Sequence, residues 1–302
     1  MMSSEANDAK PGQDRRIRVA LPNKGRLSER ALDLFEEAGL KPEFRADRAL
    51  MASLGDDFQA IFVRAADIPE YLADGAAELG VTGADLVAES GKDVHEVLDL
   101  GFGRCRLALA VRDESSIRTA ADLPAGARVA TSFPRIARRH FESLGIPIEI
   151  AGVSGAAEIA PHLGVADVIV DLVSTGSTLR VNGLREVETL LHSSARLVAS
   201  REAMSDGGLV KAIEDLSTAL ESVLRARAKR YLMANVPRDR LDEVRQIIPG
   251  LSGPTIVEVM DSGAWVAAHA VVDVEQVYQT IARLKELGAE GILVTRIERL
   301  MP

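Results

Sequence analysis

Short apolar segments alternate with amphipathic segments over the first half of the chain, and this alternation predicts an α/β fold. Ile17 to Leu21 and Leu79 to Thr82 have the aliphatic composition of buried strands. Between them, Leu27 to Glu37 carries apolar residues at helical spacing and is followed by Gly39, a residue type typical of helix ends. Strands that alternate with helices predict a parallel sheet with both faces covered.

The same alternation begins again near Leu107 and predicts a second lobe. The first lobe is expected to comprise residues 17–106 and 186–206, and the second lobe residues 107–185. Segments 186–191 and 196–199 are predicted to return to the first sheet. A cleft between two such lobes is the usual place for a ligand, at the carboxyl ends of the strands. The predicted strands of the second lobe are Leu107 to Val111, Arg128 to Thr131, Ile148 to Val153 and Val168 to Val170.

The pattern changes after Gly207-Gly208. Leu209 to Ala228 repeats apolar residues at helical spacing and predicts one long amphipathic helix. A strand, helix, strand, strand, helix and strand are predicted between Tyr231 and Ile297, with a turn at Asp261-Ser262-Gly263. This βαββαβ order is the ferredoxin-like motif, and its length suits a small appended domain. Residues 207–302 are therefore predicted to form a linker helix and a separate small domain.

The composition is that of a globular protein with two domains or three small ones. The chain has 302 residues, of which 47% are hydrophobic and 27% are charged, so sizeable cores can form. The net charge of −9 argues against a nucleic-acid partner, because no strongly basic face is available. Phosphorylated small molecules are not excluded, since a few local arginines decide whether they bind.

Cysteine usage and the polar N-terminal segment predict a soluble cytoplasmic protein. Cys105 is the single cysteine, which rules out an intramolecular disulfide and fits a reducing compartment. Residues 1–16 are polar and predict a disordered tail instead of a secretory signal. No run in the sequence reaches the roughly 20 apolar residues that a membrane-spanning helix needs.

The run from Asp167 to Leu179 carries the strongest chemical signal of the chain. The aliphatic residues of a buried strand lead to Asp171 and then to a hydroxyl-rich turn, Ser174-Thr175-Gly176-Ser177-Thr178. Such a turn offers backbone N–H groups and hydroxyls to an anion, and a carboxylate at the strand end can face ribose hydroxyls or Mg²⁺. Together they predict a site for phosphoribosyl diphosphate (PRPP). The residues alone also fit an ordinary strand–turn–helix junction with capping hydroxyls.

Basic and polar residues also follow three strands of the first lobe. Lys24-Gly25-Arg26 comes directly after the first strand, where cations can meet a triphosphate or a pyrophosphate. Arg64 ends another strand and is expected to point into the cleft. A third turn, Thr82-Gly83-Ala84-Asp85, is suited to a phosphate or a base. Two of these groups also have a simpler interpretation. Lys24 and Arg26 fit surface charges on a solvated loop, and Asp85 fits a cap of its own helix.

These motifs carry a family resemblance. The Asp167 to Leu179 run resembles the PRPP signature of phosphoribosyltransferases, in which two adjacent acids usually end the strand. Leu172 stands at the second acid position, which argues against the nucleobase-salvage type. In order and combination, the motifs resemble the ATP phosphoribosyltransferase family of histidine biosynthesis, in its long form, over the whole chain after the tail. The matching segments are Ala20 to Leu27, Arg64 to Pro69, Leu79 to Asp85, Gly101-Phe102-Gly103, Gly164 to Leu179 and Asn182 to Val187.

The resemblance implies a two-lobed α/β catalytic unit similar to periplasmic binding proteins, followed by a C-terminal ferredoxin-like (βαββαβ) regulatory domain that binds L-histidine. It further implies catalytic roles for Asp171, Arg64 and Lys24. The implied PRPP-binding residues are Asp167, Asp171, Ser174, Thr175, Gly176, Ser177 and Thr178. The implied ATP-binding residues are Lys24, Gly25, Arg26, Arg64, Thr82, Gly83 and Asp85. The implied histidine-binding residues are Asn235, Thr255, Ala267 and Ala268.

The resemblance also implies a reaction and its partners. The 5-phosphoribosyl group of PRPP passes to N1 of ATP and pyrophosphate leaves, with histidine as feedback inhibitor. Mg²⁺ is the implied cofactor, held mostly by PRPP with Asp171 as its protein ligand. Such enzymes are homo-oligomers, from dimers to hexamers, and the long helix and appended domain provide surfaces for assembly.

Three other functions share part of these features. A periplasmic solute-binding protein has the two-lobed fold but is expected to carry a secretory signal. A salvage phosphoribosyltransferase explains the PRPP turn but neither Leu172 nor the appended domain. A purely regulatory amino-acid-binding protein keeps the last domain without needing the turn after Asp171. Fold analogy alone does not decide among them.

Overall fold

A computed structural model describes residues 16–46, 49–260 and 263–301. The chain divides into two compact units. The first unit extends to Ile213 without Leu34–Gly39, and the second unit comprises Leu34–Gly39 and the chain from Glu214 onward. The predicted tail, apart from Arg16, and the predicted turn at 261–263, apart from Gly263, lie outside the described residues.

A seven-stranded sheet forms the first lobe of the first unit. Its strands are β1 (Ile17–Pro22), β2 (Pro42–Phe44), β3 (Met51–Leu54), β4 (Phe58–Val63), β5 (Leu79–Gly83), β6 (Val94–Asp99) and β12 (Ala195–Ser200). The order across the sheet is β2-β3-β4-β1-β5-β12-β6, with β1 parallel to both β4 and β5. The carboxyl ends of these three parallel strands therefore lie at one edge of the sheet. Its helices are α1 (Ser28–Glu37), α2 (Ile68–Ala73) and α3 (Ala84–Ser90).

A five-stranded sheet forms the second lobe. Its strands are β7 (Cys105–Arg112), β8 (Ala127–Thr131), β9 (Ile148–Gly152), β10 (Val168–Val173) and β11 (Leu184–Ser193), in the order β11-β7-β10-β8-β9. Its helices are α4 (Pro134–Ser143) and α5 (Ser177–Val181). The lobe boundary expected at Arg185 moves to Ser193, because β11 pairs antiparallel with β7 of the second sheet and does not return to the first. Only β12 makes that return.

Both faces of the second sheet are buried, which explains why its central strands are continuously apolar. Along β7, Leu107 and Leu109 pack into one core with Phe141 of α4. The alternate residues Ala108 and Ala110 pack into a second core on the opposite face. The central strand β10 is fixed between β7 and β8, so the residues that follow it have a defined starting point.

The chain crosses between the two lobes twice, and hydrogen bonds join the two crossing segments to each other. We call these two segments together the hinge. The first crossing joins β6 to β7, and the second joins β11 to β12. Ala195 donates its N–H to the carbonyl of Phe102 at 2.9 Å, and Leu100 donates to the carbonyl of Ala195 at 2.9 Å. Each crossing therefore supports the other.

The longest helix among the described residues is α6 (Gly207–Arg227), close to its predicted bounds. It begins in the first unit and ends in the second. Ile213, Leu216, Leu220 and Val223 are buried at helical spacing along it. Within the described ranges, no helix has both the length and the apolar character to cross a membrane.

The part of the chain after α6 forms a ferredoxin-like domain. It contains β13 (Lys229–Pro237), α7 (Leu241–Ile247), β14 (Thr255–Glu258), β15 (Trp265–Asp273), α8 (Val277–Glu286) and β16 (Glu290–Arg296). The sheet order β14-β15-β13-β16 confirms the predicted βαββαβ motif. One face of the sheet packs against α7 and α8 through residues such as Leu232, Val266 and Leu284. Short 3₁₀ segments elsewhere are Ala65–Asp67, Ala120–Asp122, Ala157–Ile159, Ala203–Ser205, Arg238–Arg240 and Val274–Gln276.

Candidate functional site

A polar cavity of about 130 Å³ lies at the carboxyl end of β10. Asp171 and the turn Ser174–Thr178, all predicted to bind PRPP, line this cavity together with Glu158. The strand places the carboxylate at the cavity wall, and the turn adds hydroxyl and backbone N–H groups. This combination suits a phosphorylated sugar, whose phosphate takes hydrogen bonds and whose hydroxyls donate them.

Several of the contacts that hold the turn are local in sequence. The hydroxyls of Thr175 and Ser177 are 2.9 Å apart, and the Ser177 N–H donates to Thr175 Oγ1 at 3.4 Å. Arg180 Nη1 donates to the Thr175 carbonyl at 3.3 Å. Gly176 has a φ of +74°, and a Cβ there would lie 3.2 Å from Arg180 Nη1. The positive φ therefore favours glycine, whereas the close approach involves only the flexible end of the Arg180 side chain.

Burial raises the pKa of Asp171 above its ordinary value, and the negative charge of Glu158 adds to the shift. The Leu172 N–H, which donates to Asp171 Oδ1 at 2.7 Å, opposes it. Sequence reasoning missed Glu158, which has no motif around it. Ala156, two residues before Glu158, has a φ of +50°. Among the described residues it is the one non-glycine residue with a positive φ. Such backbone strain is maintained only where surrounding structure demands it.

Asp167 lies away from this cavity, which corrects its expected place among the PRPP-binding residues. It precedes β10, whereas Asp171 is near the strand's other end, roughly 13 Å away at the usual rise per residue. Its Oδ2 accepts the backbone N–H of Arg128 at 2.8 Å. The carboxylate therefore fastens the start of β10 to β8.

Arg106 is a further residue at the turn that sequence reasoning missed. It stands opposite Val173 in the β7–β10 register and donates from Nη1 to the Ser174 carbonyl at 3.2 Å. The Arg106 guanidinium makes two hydrogen bonds with Glu186, at 2.6 and 2.5 Å, and lowers the pKa of that carboxyl. The pair supports the beginning of the turn from a neighbouring strand. Only the fold brings these positions together.

The predicted ATP-binding residues meet at the edge of the first sheet where β1, β4 and β5 end. Lys24-Gly25-Arg26 follows β1, Arg64 follows β4, and Thr82-Gly83 ends β5 before Asp85 in α3. Lys24 and Arg64 are exposed. Parallel pairing of the three strands explains why segments distant in sequence share this edge. We call this group the basic edge.

Thr82 and Asp85 are interior parts of the basic edge. Thr82 is fully buried, and its hydroxyl donates to the carbonyl of Ala65 at 2.7 Å, next to Arg64. Asp85 is 1% exposed, and its Oδ2 is 3.6 Å from Arg26 Nη2. Both side chains therefore hold the segments that carry Arg64 and Arg26.

A carboxylate of one lobe caps a helix of the other. Glu89 of α3 accepts the backbone N–H groups of Arg135 and Ile136, at 2.9 and 3.0 Å, in the first turn of α4. The Arg135 guanidinium lies over Gly91, where a Cβ would be 2.5 Å from Cζ. A carboxylate is favourable at a helix N-terminus, so this contact joins the lobes.

In the ferredoxin-like domain, three of the predicted histidine-binding residues share the sheet face that α7 and α8 leave uncovered. Asn235 is opposite Ala267 in the β13–β15 register, and Thr255 is opposite His269 in the β14–β15 register. Ala268 points the other way and is completely buried. Its side chain therefore belongs to the core, and only its main chain is available to a ligand on the open face.

No cluster of three or more His, Cys, Asp or Glu side chains in the described part of the chain is arranged to hold a metal ion. Asp171 and Glu158 at the turn are a pair of carboxylates on one cavity. Such a pair suits a hard divalent cation whose remaining ligands come from a substrate.

Two α/β lobes joined by two crossings, with a ferredoxin-like domain after them, define the class of protein: a two-lobed α/β unit with an appended small domain. The family profile described as "ATP phosphoribosyltransferase" matches residues 64–222, and that described as "HisG, C-terminal domain" matches residues 226–299. The chain belongs to the ATP phosphoribosyltransferase family of histidine biosynthesis, in its long form, and is a transferase.

Individual relatives agree with this assignment. An ATP phosphoribosyltransferase of Gemmatimonas aurantiaca is 60% identical over 95% of this chain and 100% of its own length. One from Methanosarcina acetivorans is 48% identical over 95% of this chain and all of its own. Among solved structures, the ATP phosphoribosyl transferase (HisG:HisZ) complex of Thermotoga maritima is 27% identical, with a TM-score of 0.61. That match covers 69% of this chain and 98% of the other.

Proposed function

We propose that this enzyme transfers the 5-phosphoribosyl group of PRPP to N1 of ATP, giving N1-(5-phosphoribosyl)-ATP and pyrophosphate. This is the committed step of histidine biosynthesis. Family membership supports the reaction. The observation that carries the site assignment is the cavity after β10, where Asp171 and the turn Ser174–Thr178 form one wall.

Positioning and charge stabilisation are sufficient for this chemistry. Adenine N1 has a lone pair and attacks C1 of the ribose without a general base, while the bond from C1 to the pyrophosphate oxygen breaks. Asp171 orients the ribose, and the turn after it holds the 5-phosphate. Lys24, Arg26 and Arg64 bind the ATP phosphates or the departing pyrophosphate, whose charge grows in the transition state.

Mg²⁺ is the proposed cofactor. Asp171, with Glu158 beside it, is the protein group that would hold the ion, and the diphosphate of PRPP would supply most of the remaining oxygens. When bound, the ion would neutralise charge on the leaving pyrophosphate. Burial and the charge of Glu158 raise the pKa of Asp171, and a cation bound beside it would favour the ionised carboxylate.

The ferredoxin-like domain is the proposed site of feedback inhibition by L-histidine. Asn235, Thr255 and Ala267 share its open sheet face, and the main chain at Ala268 is adjacent. Histidine bound there would lower substrate affinity or turnover by linkage. We assign catalysis to the two lobes and regulation to this domain, in a cytoplasmic homo-oligomer between dimer and hexamer.

The test is product formation by the purified protein with PRPP, Mg²⁺ and ATP. Pyrophosphate release that requires both substrates, with a phosphoribosyl-ATP product identified by mass spectrometry, is the expected result. The analogue 1-deaza-ATP lacks N1 and should give no transfer, whereas 7-deaza-ATP should react. Transfer to 1-deaza-ATP, or release with free nucleobases only, would overturn the proposed acceptor.

Histidine regulation needs a separate measurement. Added L-histidine should reduce pyrophosphate release by the wild-type protein, and Asn235→Ala with Thr255→Ala should weaken that inhibition while leaving the uninhibited rate intact. Release that is indifferent to histidine would leave the enzyme assignment standing and remove the regulatory one.

A further inference from the structure

The buried carboxylate of Asp85 lies beside Arg26, a cation of the basic edge. Asp85 Oδ2 is inaccessible to solvent and accepts no hydrogen bond from any described residue. Arg26 Nη2 lies 3.6 Å from it, while the Arg26 side chain keeps 40% of its surface exposed. A buried carboxylate without a charge partner is unfavourable, so Asp85 holds the inner side of a guanidinium whose outer side is free for a ligand.

Ser193 fixes the direction in which this carboxylate points. Its hydroxyl donates to Asp85 Oδ1 at 2.6 Å and accepts the Asp85 backbone N–H at 3.0 Å. Gly83 leaves room for the folded carboxylate, since a Cβ there would be 2.1 Å from Oδ1. With Oδ1 and the N–H both engaged by Ser193, Oδ2 is left to face Arg26.

Ser193 also lies at the crossing between the lobes. It ends β11, is paired in register with Cys105 at the start of β7, and is 6% exposed. Arg26 Nη2 donates to Cys105 Sγ at 3.1 Å, next to the first crossing, and Arg26 is connected to Ser193 at the second crossing only through Asp85. The guanidinium position is therefore set by the hinge, not only by its own loop.

The geometry points to Ser193 as a positioning residue for ATP, acting through Asp85 on Arg26. This inference rests on the proposed function in one respect, that Arg26 binds ATP. We assign Ser193 a role through Asp85 and Arg26 and no direct contact with the nucleotide. Its hydroxyl selects the orientation of the Asp85 carboxylate, and that orientation keeps Arg26 directed towards the nucleotide.

The next residue, Ser194, provides a matched control. It is also 6% exposed, and its hydroxyl donates to a carboxylate too, Asp99 Oδ1 at 2.8 Å. Asp99 pairs with Arg196 and not with Arg26. Ser193→Ala and Ser194→Ala therefore each remove one hydroxyl that donates to a carboxylate, and only the Ser193 hydroxyl is connected to Arg26.

Steady-state kinetics of these variants separates positioning from a general loss of stability. Ser193→Ala should lower kcat/KM for ATP about tenfold, as expected for one hydrogen bond to a charged group. The KM for PRPP should stay within about twofold, and Ser193→Thr, which keeps the hydroxyl, should recover most of the loss. Ser194→Ala should stay within about twofold of wild type for both substrates.

A double-mutant cycle with Arg26→Gln gives the decisive readout. Alone, Arg26→Gln should reduce kcat/KM for ATP about 50-fold, but in the Ser193→Ala background it should cost no more than about fivefold further. In the Ser194→Ala background the full effect of Arg26→Gln should persist. Multiplicative effects of Ser193→Ala and Arg26→Gln would overturn the inference.

Crystal structures of the two serine variants give a readout independent of turnover. Arg26 should leave Asp85 in Ser193→Ala and keep its place in Ser194→Ala. An unmoved Arg26 in Ser193→Ala would overturn the positioning role even if ATP is the substrate. If the wild-type protein makes no phosphoribosyl-ATP, the proposed function fails, and the Arg26 position still decides the role of Ser193. If Ser193→Ala does not fold, the cycle and structure are run on Ser193→Cys, whose thiol is a weak donor.

Discussion

The polar turn of the second lobe and the basic edge of the first are assembled in opposite ways. The turn Ser174–Thr178 is one continuous segment, and its hydroxyl contacts join residues two positions apart. The basic edge collects Arg26, Arg64 and Asp85 from the ends of three strands. One of its hydrogen bonds, between Asp85 and Ser193, joins positions 108 residues apart.

The difference determines what a substitution in each region disturbs. In a continuous segment with mostly local contacts, a substitution is expected to affect only the ligand group that the segment binds. At an edge assembled from distant segments, side-chain positions depend on the strands and on the hinge. A substitution there is therefore expected to alter other parts of the edge as well. The turn is therefore expected to control PRPP alone, whereas the basic edge should couple ATP binding to the crossings between the lobes.

The largest effect is expected at the carboxylate of the turn. Asp171→Asn removes the charge that orients the ribose and faces the proposed Mg²⁺, and should reduce kcat/KM about 100-fold. The matched control is Asp167→Asn, at the other end of β10, which should remain close to wild type. The measurement is pyrophosphate release with each substrate varied. A fall of similar size in both variants would show that strand stability, not the cavity, is responsible.

Two glycines allow the regions to be compared directly. Gly176 in the turn and Gly25 in the basic edge have φ values of +74° and +86°. Alanine at either position is strained by roughly 1–2 kcal/mol, so each should raise one Michaelis constant about tenfold. Gly176→Ala should affect PRPP and Gly25→Ala should affect ATP. If each substitution alters both constants equally, the separation of the two regions is wrong.

The smallest effect concerns pH. Asp171 must be ionised to act, and its pKa is raised by burial and by Glu158, so activity should fall as the pH drops through that raised value. Glu158→Gln removes the like charge and should move the acid limb of the kcat/KM profile to lower pH. Glu149→Gln, on β9, serves as the control. An acid limb that stays in place would exclude Asp171 as the titrating group.

The sequence predicted the turn well because all of its signal is local. Its strand, its carboxylate and its hydroxyls are consecutive, and α5 begins at Ser177, within the predicted turn. Asp167 was wrongly assigned to the PRPP-binding residues. It is close to Asp171 in sequence, but an extended strand separates the two carboxylates in space. The pairing of β11 with β7 was also missed, because the residue pattern of a strand carries no mark of the sheet it joins.

Residues that act through distant contacts had no comparable signal. Glu158, Arg106 and Ser193 lie outside every motif, and each acquires its role only when sheet order brings another segment beside it. The basic edge was predictable as a set because three parallel strands must end together. Its internal support, a buried carboxylate fixed by a serine of the hinge, was not.

The contact between Glu89 and α4 means that the N-terminal cap of this helix is supplied by the other lobe. The residue at its N-cap, Phe133, makes no side-chain cap of its own, so the amides of Arg135 and Ile136 depend on Glu89 in the other lobe. Whenever the lobes part, both amides lose their acceptor and face water at a cost of about 1 kcal/mol. The rate of deuterium uptake at these two amides therefore reports how often the lobes open. Binding of both substrates should slow that uptake.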